Sequence, residues 1–117
     1  MDITHLHLHV RDRPRSEAFY RRWFALREVT TGDDITFMSG TRDFLFALME
    51  DPARAAMPAW FHFGIRLESA ADVRALLDAM SAAQVPIVKP LFESETLVSI
   101  RCADPDAYPI EVYWSPA

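Results

Sequence analysis

Three of the chain's four histidines stand at alternate positions in the stretch THLHLHV, residues 4 to 10. His5, His7 and His9 are separated there by Leu6 and Leu8, and Val10 follows. In an extended strand, side chains at every second position share one face. The fourth histidine, His62, lies in FHFGIRL, and PIEVYW near the end sets Glu111 among isoleucine, valine, tyrosine and tryptophan. A carboxylate in such company is costly without a partner, and a metal ion would supply one. Two imidazoles and one carboxylate on facing strands form a facial triad with open positions for water, substrate or oxygen. His5, His62 and Glu111 are the natural three. His7 and His9 would line the cavity beyond the metal, and one of them could act as a general base because imidazole titrates near neutral pH. The alternative for both is a solvated position on a wide sheet.

The elements that must position these groups are legible from periodicity. Residues 5 to 10 alternate strictly and read as a strand. Asp12 and Pro14 signal a helix start, and Phe19, Tyr20, Trp23, Phe24 and Leu26 recur at roughly helical spacing to about residue 26. Short extended pieces follow at 27–31, 35–39 and 44–49, with Thr31-Gly32-Asp33-Asp34 and Ser39-Gly40-Thr41 as turns. DPARAAMPA, residues 51 to 59, reads as a linker. The pattern then restarts: a strand from Trp60 to Leu67, a helix capped at Ser69-Ala70-Ala71-Asp72, and extended pieces near 85–90, 95–101 and 109–114. Val73, Leu76, Leu77 and Met80 give the second helix one buried face.

A fixed offset of 57 residues sets His5 on His62, Leu6 on Phe63, Leu8 on Ile65 and Val10 on Leu67. It also sets Phe19 on Leu76, Tyr20 on Leu77 and Trp23 on Met80. The chain thus reads as an α+β protein of two tandem βαβββ modules, at about 1–50 and about 60–117, forming a cupped mixed sheet with the helices outside. Neither module, at fewer than about 60 residues, would bury much core alone. Leu6, Leu8 and Val10 then face the helix, and the histidines face the concave side. In the second module the same phase sends His62, Gly64 and Arg66 to that side.

Arg66 and Arg101 share this inward phase, with Ser99 two residues before Arg101. Two arginines in a cavity suit a carboxylate or phosphonate, and structural ion pairs with the chain's seventeen acids are the alternative. Leu45, Phe37, Trp60 and Tyr113 would wall the pocket, ordinary core being the other role open to them. The stretch RDRPRSE reads as a solvated helix start.

A net charge of -5 spread along 117 residues lacks the basic footprint that nucleic acid requires. No apolar run approaches the ~18 residues of a bilayer span, so no membrane is expected. The first residues lack a basic end followed by an apolar stretch, and no signal peptide is expected. A single cysteine, Cys102, rules out an intramolecular disulfide and fits a reducing cytoplasm. Its apolar neighbourhood reads as packing rather than reactivity.

THLHLHVRDRPRSEAFYRRWFAL, FHFGIRLESAADVRALLDAM and DPDAYPIEVYW together resemble the vicinal oxygen chelate superfamily. That superfamily includes glyoxalases, fosfomycin-modifying enzymes, extradiol dioxygenases, epimerases and bleomycin-resistance proteins. The resemblance implies paired βαβββ modules and a divalent ion, whether iron, manganese, nickel, cobalt or zinc, on His5, His62 and Glu111. Aligning FALMEDP with IEVYWSP puts the fourth family ligand position at Ala47, which cannot bind a metal. The chain therefore resembles the three-ligand members. DPDAYP carries Ala107 where the family usually has glycine. The resemblance further implies an enzyme acting on a small oxygenated substrate chelated through vicinal oxygens. A homodimer is implied too, in which His5 of one chain joins His62 and Glu111 of the other. The alternative is a metal-independent protein of bleomycin-resistance type that sequesters an antibiotic, for which a negative charge suits a cationic ligand.

Overall fold

The computed structural model describes residues 1–116 and divides into two compact units, Met1–Ala56 and Met57–Ala117. Each is a strand, a helix and three more strands. Unit one holds β1 (His5–Val10), α1 (Arg13–Phe24), β2 (Arg27–Thr31), β3 (Ile35–Ser39) and β4 (Leu45–Glu50). Unit two holds β5 (Phe63–Arg66), α2 (Ala70–Ala82), β6 (Ile87–Glu93), β7 (Val98–Ala103) and β8 (Pro109–Trp114). The two βαβββ modules anticipated from the 57-residue offset are present.

The sheets follow one plan. Unit one runs β1-β4-β3-β2 and unit two β5-β8-β7-β6. The first and last strands of each module pair in parallel, and the other pairs are antiparallel. A parallel pair needs a long crossover, which the helix and the two intervening strands provide. The outer strands are irregular. Val29 is the extra residue of a bulge in β2, between the Glu28–Met38 and Thr30–Phe37 pairs. In β6 the register shifts around Pro90, which lacks the N–H that a central strand would use.

Alternation of burial sets the faces. Leu8 and Val10 are buried, whereas His5, His7 and His9 are exposed. The core of unit one gathers Leu8, Val10, Tyr20, Met38, Phe46 and Leu48, with the rings of Tyr20 and Phe46 edge to face at 4.6 Å. Unit two buries Val73 and Met80 of α2 against Val98, Ile100, Ile110 and Val112. Cys102 is buried there as well, and burial pushes its thiol up to about 12, so it is a packing residue with no thiolate at neutral pH.

Caps fix the helices. The Asp12 carboxylate accepts the Arg15 N–H at 3.1 Å, and the Ser69 hydroxyl accepts the Asp72 N–H at 3.0 Å. The start of α1 is less solvated than RDRPRSE suggested. Arg13 donates to the carbonyls of Gly32 and Asp33 at 3.0 and 3.1 Å and ties the helix to the β2–β3 turn. Three strands also differ in their bounds from the sequence reading. The strand anticipated from Trp60 begins at Phe63, because Phe61 N–H donates to the Pro58 carbonyl at 3.0 Å and closes a turn. The strands β6 and β7 lie two to three residues later than anticipated, because Ser94 builds their turn: its hydroxyl accepts the N–H groups of Thr96 and Leu97. Among the described residues, no helix is long and apolar enough to cross a membrane.

Candidate metal-binding and catalytic site

The register of the parallel pairs shows which positions correspond. His7 pairs with Ala47 on β1–β4, and Gly64, 57 residues after His7, pairs with Glu111 on β5–β8. Ala47 is thus the module-one counterpart of Glu111, and His5 and His62 stand at equivalent places two residues ahead of the pair. Only module two carries both an imidazole and a carboxylate there.

In unit two these side chains meet. His62 Nε2 lies 3.7 Å from Glu111 Oε2, and both side chains are about one-third exposed (34% and 29%). His62 Nδ1 lies 3.1 Å from the Trp60 carbonyl oxygen, and Nε2 lies 3.2 Å from Arg101 Nη2. A carbonyl can only accept and a guanidinium can only donate. The tautomer follows: Nδ1 carries the proton and Nε2 carries the lone pair. A backbone carbonyl that fixes a ring in this way is the support a metal-ligating imidazole uses. Arg101 and Glu111 are cross-strand partners on β7 and β8, so the guanidinium issues from beside the carboxylate. Imidazole nitrogen with carboxylate oxygen is a donor set that suits divalent first-row metals. His62 and Glu111 therefore fit such an ion.

The third expected ligand, His5, belongs to unit one, where its Nδ1 lies 3.2 Å from Thr4 Oγ1. Among the described residues, no group of three or more His, Cys, Asp or Glu side chains is close enough together to hold a metal ion.

The other expected site residues are distributed as follows. His7 and His9 lie on the exposed face of β1 with ring centroids 5.2 Å apart and the rings tilted by 55°. His9 Nδ1 donates to Asp51 Oδ2 at 2.8 Å, and that hydrogen bond holds the Asp51 carboxyl below its ordinary value of 3.8. Arg66 donates to the Ser115 carbonyl at 2.6 Å, so part of its guanidinium serves the end of β8. Ser99 and Tyr113 are cross-strand partners, both half-buried. The Tyr113 ring passes close to Gly64, where a Cβ would meet Cε1 at 3.3 Å, so any larger residue at 64 would push on that ring. Leu45 opens β4 and is 37% exposed, and Trp60 is 75% exposed in the turn ahead of β5. Sequence reasoning missed Asp51 and Thr4. Both flank strands that were identified, and only the fold shows that each reaches a histidine.

The sequence profile of the Glyoxalase/Bleomycin resistance protein/Dioxygenase superfamily matches residues 2–112. The chain belongs to that superfamily. It is similar in structure to a possible glyoxalase from Bacillus cereus, at 25% identity and a TM-score of 0.84, over 96% of this chain and 97% of that one. It also shares its fold with a genomically encoded fosfomycin resistance protein, FosX, from Listeria monocytogenes, at 20% identity and a TM-score of 0.84, over 98% and 93% of the two chains. A lactoylglutathione lyase from Agrobacterium tumefaciens has the same fold at 21% identity and a TM-score of 0.76, over 97% and 92%. No curated protein matches the chain.

Proposed function

We propose that this protein is a metal-dependent enzyme acting on a small oxygenated substrate that presents two vicinal oxygens. His5, His62 and Glu111 are the assigned ligands, and two imidazoles with one carboxylate accept iron, manganese, nickel, cobalt or zinc. The observation that carries the reading is the His62–Glu111 pair: a lone pair held on Nε2 by the Trp60 carbonyl, 3.7 Å from a carboxylate oxygen. When bound, the ion supplies Lewis acidity, which polarises a carbonyl or stabilises an enolate. The chain's own groups supply the rest. Arg101, beside Glu111, offers a planar donor fork to an anionic group of the substrate. Arg66, Ser99, Tyr113 and Leu45 are assigned to the walls that orient it. His9 is assigned as general base, because the Asp51 carboxylate orients its ring through a 2.8 Å hydrogen bond at Nδ1. His7, its ring centroid 5.2 Å from that of His9, is the second candidate for that role. Homologous modules with ligands on both suit a homodimer, and a shared site would lose metal on dilution below the dimer's dissociation constant.

One observation favours a second reading. The Arg101 guanidinium already occupies the His62 lone pair, as it would in a metal-independent protein that sequesters a drug. Metal analysis of protein purified without chelators or a histidine tag separates the two. Close to one ion per chain in the wild type, and none in a His62→Ala, Glu111→Ala double variant, supports the enzyme. No ion in either, even after reconstitution, ends that reading in favour of sequestration.

A further inference from the structure

We infer that Arg101 is an internal stand-in for the cation: it holds the His62 lone pair in the metal-free protein and passes to an anionic oxygen of the ligand once a divalent ion takes its place. This rests on the metal-dependent reading above and adds to it an order of events, metal before anionic ligand.

The argument begins with one atom. The Trp60 carbonyl commits His62 Nδ1 as a donor, so Nε2 has a single lone pair to offer. Arg101 Nη2 occupies it at 3.2 Å. A metal ion and the guanidinium cannot both use that lone pair. Arginine keeps its proton in proteins, so it cannot yield by titrating and must yield by moving. Its movement is short-tethered. Arg101 lies in the middle of β7, paired on either side to Lys89 and Glu111, so its backbone stays beside the carboxylate. The displaced fork therefore remains at the rim of the metal position, where it suits a carboxylate or similar anion through paired charge-assisted hydrogen bonds.

The same residue should consequently oppose the metal and favour the ligand. Removing it gives two shifts of opposite sign, which a merely structural residue would not give. The test uses Mn²⁺ alone, then oxalate, a dianion with vicinal oxygens, added to the Mn²⁺-loaded protein. Calorimetry would compare wild type, Arg101→Met, Arg101→Lys and His62→Ala. Arg101→Met should bind Mn²⁺ roughly tenfold more tightly, since a competing donor and a like charge are gone. It should bind oxalate roughly tenfold or more weakly, since a charge-assisted pair is lost. Arg101→Lys keeps the charge without the fork; it should shift both affinities in the same directions by less, and it stands in if the methionine variant fails to fold. Mn²⁺ affinity unchanged or weakened in both Arg101 variants, with binding still lost in His62→Ala, overturns the stand-in role and leaves the metal reading intact. Unchanged oxalate affinity overturns the passage to ligand. No Mn²⁺ binding by wild type or either Arg101 variant overturns the metal reading, and this inference with it.

Discussion

In module two, Gly64 stands opposite Glu111 with His62 just ahead of them. In module one, His7 stands opposite Ala47 with His5 just ahead. The strand pairing is the same, yet the polar groups are arranged differently. Module two concentrates a histidine, a glutamate and an arginine around one nitrogen. Module one spreads its histidines along β1 and ties the last of them, His9, to Asp51. The difference shows what each part of the repeat is constrained by. Register and inward apolar residues are held because every core contact depends on them. The other face of β1 is free to diverge, because His5, His7 and His9 there meet solvent rather than the core.

The comparison breaks first at the helices if the 57-residue offset is taken too literally. It matches Trp23 with Met80, but Met80 is fully buried while Trp23 is half-exposed under the Arg22 guanidinium, 4.4 Å from its ring. Met80→Ala should cost about 2–5 kcal/mol, as for a buried side chain cut back to a cavity. Trp23→Ala should cost about 1–2 kcal/mol despite the larger side chain, because much of the ring is never removed from water. Urea denaturation of the two variants gives the result. Equal losses would mean that both helices anchor at the same repeat position and that the burial difference is energetically empty.

The carboxylate position offers a sharper test of the same asymmetry. Ala47 is 1% exposed, between the cross-strand partners His7 and Phe37, whereas the Glu111 side chain keeps 29% of its surface and has His62 beside it. Ala47→Glu in metal-free buffer should lower stability by about 2–4 kcal/mol, the cost of burying a carboxylate without an adequate partner. A neutral outcome would show that module one can accommodate a carboxylate at this position and lacks it only by sequence.

The modules themselves were legible because alternation and helical spacing are driven by burial, which sequence records directly. β2, β3 and β8 fall where the alternation places them, and Asp12 and Ser69 cap the helices that they signal. Boundaries set by local turn hydrogen bonds were not legible: the Ser94 hydroxyl delays β7, and the backbone turn at Pro58 shortens β5. For the site, the facing positions of His62 and Glu111 followed from phase. The contact of Arg101 with His62 did not, since phase gives the side of a sheet and not the reach of a long side chain. Asp51 was hidden for a related reason. It lies in a stretch without periodicity, and only the β1–β4 pairing brings it to His9.

Smaller effects test how well each module is finished. Ala25 ends α1 at φ 53°, Gln84 follows α2 at φ 63°, and Ala107 turns the DPDAYP loop at φ 66°. All three hold a left-handed conformation that glycine adopts without the Cβ penalty. Ala25→Gly, Gln84→Gly and Ala107→Gly should each raise stability by about 0.5–1 kcal/mol, net of the entropy glycine adds to the unfolded chain. Thermal midpoints would show it. A loss at Ala107 alone would indicate that its methyl group packs within the loop, and would separate the turn of module two from the two helix ends.

The smallest expected effect is electrostatic and belongs to module one. The His9 hydrogen bond, helped by the Ala53 N–H, holds Asp51 below 3.8 in the folded chain, against the opposing effect of partial desolvation. A carboxyl whose folded value is depressed stabilises the fold above its unfolded value, and that contribution disappears as pH falls through the folded value. Stability should therefore decline on acidification below about pH 4 more in the wild type than in His9→Ala, where the largest cause of the depression is absent. The Asp51 carboxyl carbon, followed by NMR through an acid titration, should move its midpoint upward in the variant. An unchanged midpoint would mean that Ala53 alone sets the charge on Asp51. It would also sever Asp51 from the histidine that it is assigned to orient.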